Sequence, residues 1–242
     1  MGRIGKVVNK LIKFNTNDVN FKNNNNIVAP ASRLTFAQDG EDFVLVSLLE
    51  DNFHKKGFYL DVGAHDPFRF SNTAIFYKQG WRGINVEPNP DAKPIFDQER
   101  PEDINLMIAI SSAGGTKKFY IYNEPALNGI DNDRREEFKD TGYKLEKITD
   151  IKVDTLENIL VKFQERFACP NFLSIDVEGH ELEVLKSNNW EMFPFDFILV
   201  EQRLEDLTLI SQSEIYAFLS RLTYRPVACT GRTVIYKRSP QT

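Results

Sequence analysis

Phe58-Tyr59-Leu60-Asp61-Val62-Gly63-Ala64-His65 is the stretch that decides the fold. Three apolar residues make a short buried strand, and the run ends on an acid, a glycine and a histidine, which suit a turn beside a ligand. Outward from it the same alternation repeats. Before it, Asp39 is placed to cap a helix carrying Phe43, Val44, Val46, Leu48 and Leu49 as far as about Asn52. After it, a helix over Ser71 to Gln79 stops at Gly80, and a strand over Arg82 to Val86 ends on Glu87-Pro88-Asn89-Pro90. A helix from Asp91 to Gln98 leads to a third strand, Ile104 to Ile110, with Lys117 to Tyr122 as a hairpin partner beyond Gly114-Gly115. Residues 123–147 read as a polar, irregular insertion of the kind that shapes a pocket or forms a lid.

The second half resumes with a small strand at Ile151 to Val153, an amphipathic helix from Thr155 to Phe167 and a strand from Asn171 to Ile175. A helix from Glu181 to Asn188, a strand from Phe195 to Val200, a helix from Ser211 to Leu222 and two β segments, Arg225 to Cys229 and Thr233 to Tyr236, complete it. Such alternation predicts one α/β domain, residues 34–242, with a mostly parallel central sheet and helices on both faces.

Of 242 residues, 41% are hydrophobic and 27% charged, enough for a substantial core. A net charge of −5 argues against nucleic acid as a partner. Apolar runs reach about seven residues, well short of the roughly 20 that span a bilayer. Two cysteines, Cys169 and Cys229, are too few for a disulfide framework and sit in apolar surroundings, which suits a reduced, cytoplasmic protein. Residues 1–33 differ from the rest: basic, with one acid and eight asparagines, they read as a leader or linker. Ile4, Val7, Val8, Leu11 and Ile12 recur at helical spacing among lysines, so residues 1–14 suit peripheral contact with an anionic membrane or docking on their own domain.

In parallel sheets ligands bind beyond the carboxyl ends of the strands. There the sequence places Asp61, Gly63, His65, Glu87, Ser111, Asp176, Glu178, His180 and Glu201. Asp61-x-Gly63 with Glu87 one strand later is a nucleoside-binding layout, in which a carboxylate accepts two hydrogen bonds from a ribose diol. The segment Gly63-Ala64-His65-Asp66-Pro67-Phe68 lacks the second and third glycines of a dinucleotide fingerprint, and no phosphate-binding G-x-x-x-x-G-K-[ST] is present. An acidic first loop fits a ligand with a cationic end, such as S-adenosylmethionine. An NAD-dependent oxidoreductase and a non-catalytic nucleoside-binding module of the same fold are the rival readings.

Five segments resemble, in the same order, those of the FkbM family of methyltransferases: Phe36-Ala37-Gln38-Asp39-Gly40-Glu41-Asp42, Asp61-Val62-Gly63-Ala64-His65, Asn85-Val86-Glu87-Pro88-Asn89-Pro90, Val153-Asp154-Thr155-Leu156, and Leu173-Ser174-Ile175-Asp176-Val177-Glu178-Gly179-His180-Glu181. The similarity extends over about residues 35–236. It implies a class I, Rossmann-like S-adenosylmethionine-dependent methyltransferase acting on a hydroxyl of a sugar, oligosaccharide, glycan or related natural product. It further implies that Asp61, Gly63 and Ala64 lie under the methionine part of the cofactor, that Glu87 holds the ribose, and that Ile110 and Ser111 sit near the adenine. Gln38 and Asp39 would close over the cofactor, with His65 beside its loop. A chain of this length also suits one module of a larger glycan-assembly protein.

Methyl transfer to an alcohol needs a base to take the hydroxyl proton as the new bond forms. His180 is the preferred base, since imidazole accepts a proton at neutral pH. Asp176 is its rival as base or acceptor anchor, and Glu178 completes the group. The competing reading of His180 is a helix-terminal residue donating to a backbone carbonyl. Asp176, Glu178 and Glu201 are also the candidate ligands should Mg²⁺ take part, against the alternative that Glu201 pairs with Arg203. Trp81 and Trp190 read as core, and Arg134-Arg135 and Lys117-Lys118 as solvated surface rather than a site for an acidic acceptor.

Overall fold

In a computed structural model of the chain, residues 35–131, 133–167 and 171–239 are described. The leader expected at 1–33 and Cys169 fall outside them. The elements are α1 (Glu41–Leu49), β1 (Phe58–Val62), α2 (Ala74–Lys78), β2 (Arg82–Val86), α3 (Ala92–Glu99), β3 (Ile104–Leu106), β4 (Ala109–Ile110), β5 (Gly115–Tyr122), β6 (Gly129–Ile130) and β7 (Leu145–Asp154). They continue with α4 (Leu156–Phe163), β8 (Phe172–Ile175), α5 (Glu181–Lys186), β9 (Phe197–Glu201), α6 (Glu214–Arg221), β10 (Tyr224–Cys229) and β11 (Thr233–Arg238).

The main sheet has seven strands in the order β10-β11-β9-β8-β1-β2-β3. β3, β2, β1, β8 and β9 run parallel, and β11 enters antiparallel between β9 and β10. This is the strand arrangement of the class I, Rossmann-like methyltransferase fold. Alternation along β1 explains the layers: Phe58, Leu60 and Val62 face one side and Tyr59 the other. On the first side they pack with Leu156, Ile159 and Leu160 of α4, Val184 and Leu185 of α5 and Leu219 of α6. On the second, Tyr59 packs with Leu45 and Leu49 of α1, Phe76 of α2, and Phe172 and Phe197. Trp81 is buried in this second core and Trp190 packs against the first. Cys229 is a partly buried free thiol.

Three sequence expectations change. Asp39 does not cap α1. The cap is Gly40 in a left-handed conformation (φ 89°), and the anchoring carboxylate is Asp42, which accepts from the Thr35 hydroxyl at 2.6 Å and the Phe36 N–H at 2.8 Å. The strand expected from Ile104 to Ile110 divides at Met107-Ile108. β3 stays in the main sheet, while β4 turns into a second sheet, β4-β7-β5-β6. Residues 123–147 are not simply irregular: they hold a 3₁₀ turn at Pro125–Leu127, all of β6 and the first residues of β7. β7 is ten residues long and pairs antiparallel along nearly all of β5. This second sheet carries Phe119 and Ile130 to the carboxyl ends of the parallel strands.

Candidate active site

The loop after β1 is held by the next strand. The N–H groups of Gly63 and Ala64 donate to the Val86 carbonyl (2.9 and 3.2 Å), which draws 61–65 over the end of β2. Gly63 has φ +81°, and a Cβ there would lie 1.7 Å from the Asp176 carbonyl oxygen, so only glycine fits. His65 also adopts a positive φ (55°), which aims its N–H at Glu87 Oε2 (2.9 Å), while the Asn89 N–H donates to Oε1 (2.8 Å). Each Glu87 oxygen thus carries one backbone donor and keeps lone pairs for a ligand. Burial raises its pKa to about 7, against the pull of the two N–H groups. Asp61 is buried at the end of β1 and accepts from the Thr73 hydroxyl at 2.7 Å; burial raises its pKa too.

Beyond β8, the Asp176 N–H donates to the Val62 carbonyl (3.0 Å), joining the two loops. A tight turn follows through Glu178 (φ 56°) and Gly179 (φ 105°), secured by Glu181 Oε1 accepting from the Gly179 N–H at 2.9 Å. Asp176, Glu178 and Glu201 come together, with one carboxylate oxygen of each within 4.8 Å of the others. Enclosure in the cleft, then the charges of Glu201, Glu178 and Glu181, hold the Asp176 pKa well above the carboxylate range. Two guanidiniums answer this charge. Arg203 donates through Nη2 to Glu178 (2.9 Å) and through Nε to Glu201 (2.9 Å), and Arg134 donates through Nη1 to Glu178 (3.0 Å). Arg134 therefore corrects the reading of Arg134-Arg135 as solvated surface: its side chain is only 12% exposed, whereas Arg135 stays outside with Asp133.

One cleft collects most of the expected residues. Gln38, Asp61, Gly63, Ala64, His65 and Glu87 line it, as do Ile110, Asp176, Glu178 and Glu201. Three expected residues are turned elsewhere. Ser111 is buried and its hydroxyl donates to Glu183 at 3.1 Å. Asp39 faces Arg232 at 3.8 Å. His180 begins α5, and its Nε2 lies 2.9 Å from the Ile130 carbonyl, a contact in which that nitrogen must be the donor. The imidazole is thus bonded to the backbone and is not part of the cleft wall. His65 Nε2 meets Arg69 Nη1 at 3.1 Å, and burial followed by that arginine lowers its pKa, so the ring is neutral and accepting.

The sequence reading missed Phe70, Asn72, Phe119, Asn128 and Arg232, all of which line the cleft. Part of the insertion, Pro125 to Ile130, forms one wall. Asn128 Oδ1 accepts from the Tyr122 N–H (2.8 Å), which fixes the amide, and its buried Nδ2 has no partner among the described residues. None of these has a motif of its own; only the alternation of apolar residues in β5 could have pointed to Phe119.

Residues 61–226 match the family described as the methyltransferase FkbM domain. No curated protein matches the chain. Similar solved structures include the Burkholderia thailandensis 1,6-didemethyltoxoflavin-N1-methyltransferase with bound 1,6-didemethyltoxoflavin and S-adenosylhomocysteine, at 11% identity over 84% of this chain and 80% of that one, TM-score 0.40. An O-methyltransferase from Bacillus cereus in complex with S-adenosylhomocysteine overlaps at 10% identity, 86% and 82% coverage, TM-score 0.41. Likeness at these scores adds nothing to the strand order already described.

Proposed function

The chain belongs to the FkbM methyltransferase family, and from that premise we propose that it transfers a methyl group from S-adenosylmethionine to a hydroxyl of a sugar, glycan or related natural product. Membership sets aside the oxidoreductase reading. The chemistry of the donor set fits the cofactor: Asp61, Glu87 and Asp176 offer carboxylates to a nucleoside with a sulfonium and an ammonium. Bound there, S-adenosylmethionine supplies an electrophilic methyl group. Glu87 would accept from the two ribose hydroxyls, Ile110 would face the adenine, and Gly63 and Ala64 would let the backbone approach the amino-acid end. The spare N–H of Asn128 is a further donor on the same wall.

Asp176 carries the choice of a hydroxyl acceptor. Its carboxyl stands exposed in the cleft beside the cofactor loop, where its ionised form can take a proton from an acceptor hydroxyl. With the cofactor bound, Asp176 would take the proton of the acceptor hydroxyl as that oxygen is methylated. Glu178, clasped by Arg134 and Arg203, holds the acceptor side of the cleft in shape. Arg203 on Glu178 and Glu201, and Arg134 on Glu178, offset part of the charge of the three carboxylates that would otherwise favour a divalent cation. Transfer of labelled methyl to a panel of free sugars and glycans tests this reading. Asp176→Asn should abolish most transfer while S-adenosylhomocysteine still binds; transfer only to amine acceptors would contradict it.

A further inference from the structure

Behind the Asp61 loop lies a buried cation. Arg100 follows α3, and its side chain and that of Asp103 are fully inaccessible. Such a charge is tolerated only where its N–H groups are met. Nε donates to Asp103 (2.9 Å) and Nη2 to the Tyr59 hydroxyl (2.7 Å). Both terminal nitrogens also reach Thr73 Oγ1, at 3.1 and 3.0 Å. Asp103 is itself fixed by the Tyr59 hydroxyl, the Gly83 N–H and the Asn85 amide, so Arg100 is anchored to β1 and β2.

Thr73 converts this anchor into a direction. A hydroxyl has two lone pairs and one hydrogen. The lone pairs face Arg100, so the hydrogen goes to Asp61 Oδ2, 2.7 Å away. Ser71 Oγ, at 3.3 Å, already accepts from the N–H groups of Thr73 and Ala74 and so does not take the Thr73 hydrogen. We infer that Arg100 and Thr73 are positioning residues, a fixed relay that holds Asp61 as an acceptor toward the ammonium end of the cofactor. The inference rests on the cofactor reading above. Burial favours a neutral Asp61, as does the charge of Asp103, while the hydroxyls of Thr73 and Ser174 and the charge of Arg100 favour the ionised form.

The relay is tested with two ligands that differ only at that end. S-adenosylhomocysteine carries the ammonium; 5′-methylthioadenosine keeps the adenosine and thioether and lacks the amino-acid tail. Thr73→Val preserves shape and removes the hydroxyl. It should weaken S-adenosylhomocysteine about tenfold, the scale of a hydrogen bond to a charged group, and leave methylthioadenosine within about twofold. Thr73→Ser should restore the loss. Equal weakening of both ligands, or of neither, would overturn the relay. If the unaltered chain binds no S-adenosylhomocysteine, the cofactor reading itself fails, and that result precedes any variant. Should Thr73→Val not fold, Arg100→Lys keeps the charge beside Asp103 but cannot meet Thr73 from two nitrogens. The same selective loss is then expected, and its absence is equally decisive.

Discussion

Glu87 sits at a titration point that its ligand must move. Burial holds its pKa at about 7, and a protonated carboxyl cannot accept from both ribose hydroxyls. Binding therefore favours the ionised form, so affinity should rise with pH up to about 7 and flatten above it. Below that point it should fall by up to about tenfold per pH unit, with proton release on binding. Titrations of S-adenosylhomocysteine at several pH values, in buffers of different ionisation enthalpy, check this; Glu87→Gln should bind more weakly and lose that slope. Asp176 and His180 make the second residue-scale contrast. Asp176→Asn should lower kcat by about 10²–10⁴ with cofactor affinity changed by only a few-fold. His180→Ala should cost activity far less, because its Nε2 already serves the Ile130 carbonyl. Equal losses in the two variants would return the base role to His180. Legibility at this scale was uneven for one reason: sequence places a residue on a strand-end loop but does not say which way the side chain turns. Glu87 and Asp176 turn into the cleft, while Ser111 and His180, one residue past a strand or at the head of a helix, are taken up by Glu183 and a carbonyl.

At the scale of elements, the carboxyl ends of β1 and β8 close on each other through Gly63. Gly63→Ala would drive a Cβ into the Asp176 carbonyl and force a strained φ, so the two loops must separate. It should abolish cofactor binding and lower thermal stability by several degrees in a melt. Phe172 of β8, fully buried among Tyr59, Phe76 and Trp81, should cost about 3–5 kcal/mol on truncation to alanine, measured by urea unfolding. The parallel strands were legible because they are short apolar runs ended by prolines, glycines or acids. The second sheet was not. Ile104 to Ile110 is one continuous run, which cannot show that its two halves pair in different sheets. In β7, Lys147, Ile148 and Lys152 are exposed and Ile151 and Val153 are buried, so the alternation is clear only near its end.

The whole molecule carries a net charge of −5, and its cleft concentrates carboxylates at the ends of four neighbouring parallel strands. Arg134, reaching in from the insertion, and Arg203, beyond β9, both bond Glu178 and offset part of that charge. Turnover should therefore survive exhaustive chelation, as measured by methyl transfer before and after treatment with a metal chelator. Among the described residues no helix is long and apolar enough to cross a membrane. The α/β architecture was legible because strand, helix and strand-end acid recur in register. The cleft wall from Pro125 to Ile130 was not, because the insertion that supplies it has no periodic pattern. The central claim is that this cleft holds a sulfur nucleoside, and calorimetric titration of the full chain with S-adenosylhomocysteine, with NAD as control, tests it most directly. Micromolar binding of S-adenosylhomocysteine at one site, with none of NAD, is the predicted result. Absence of binding at any pH between 6 and 9 would contradict it.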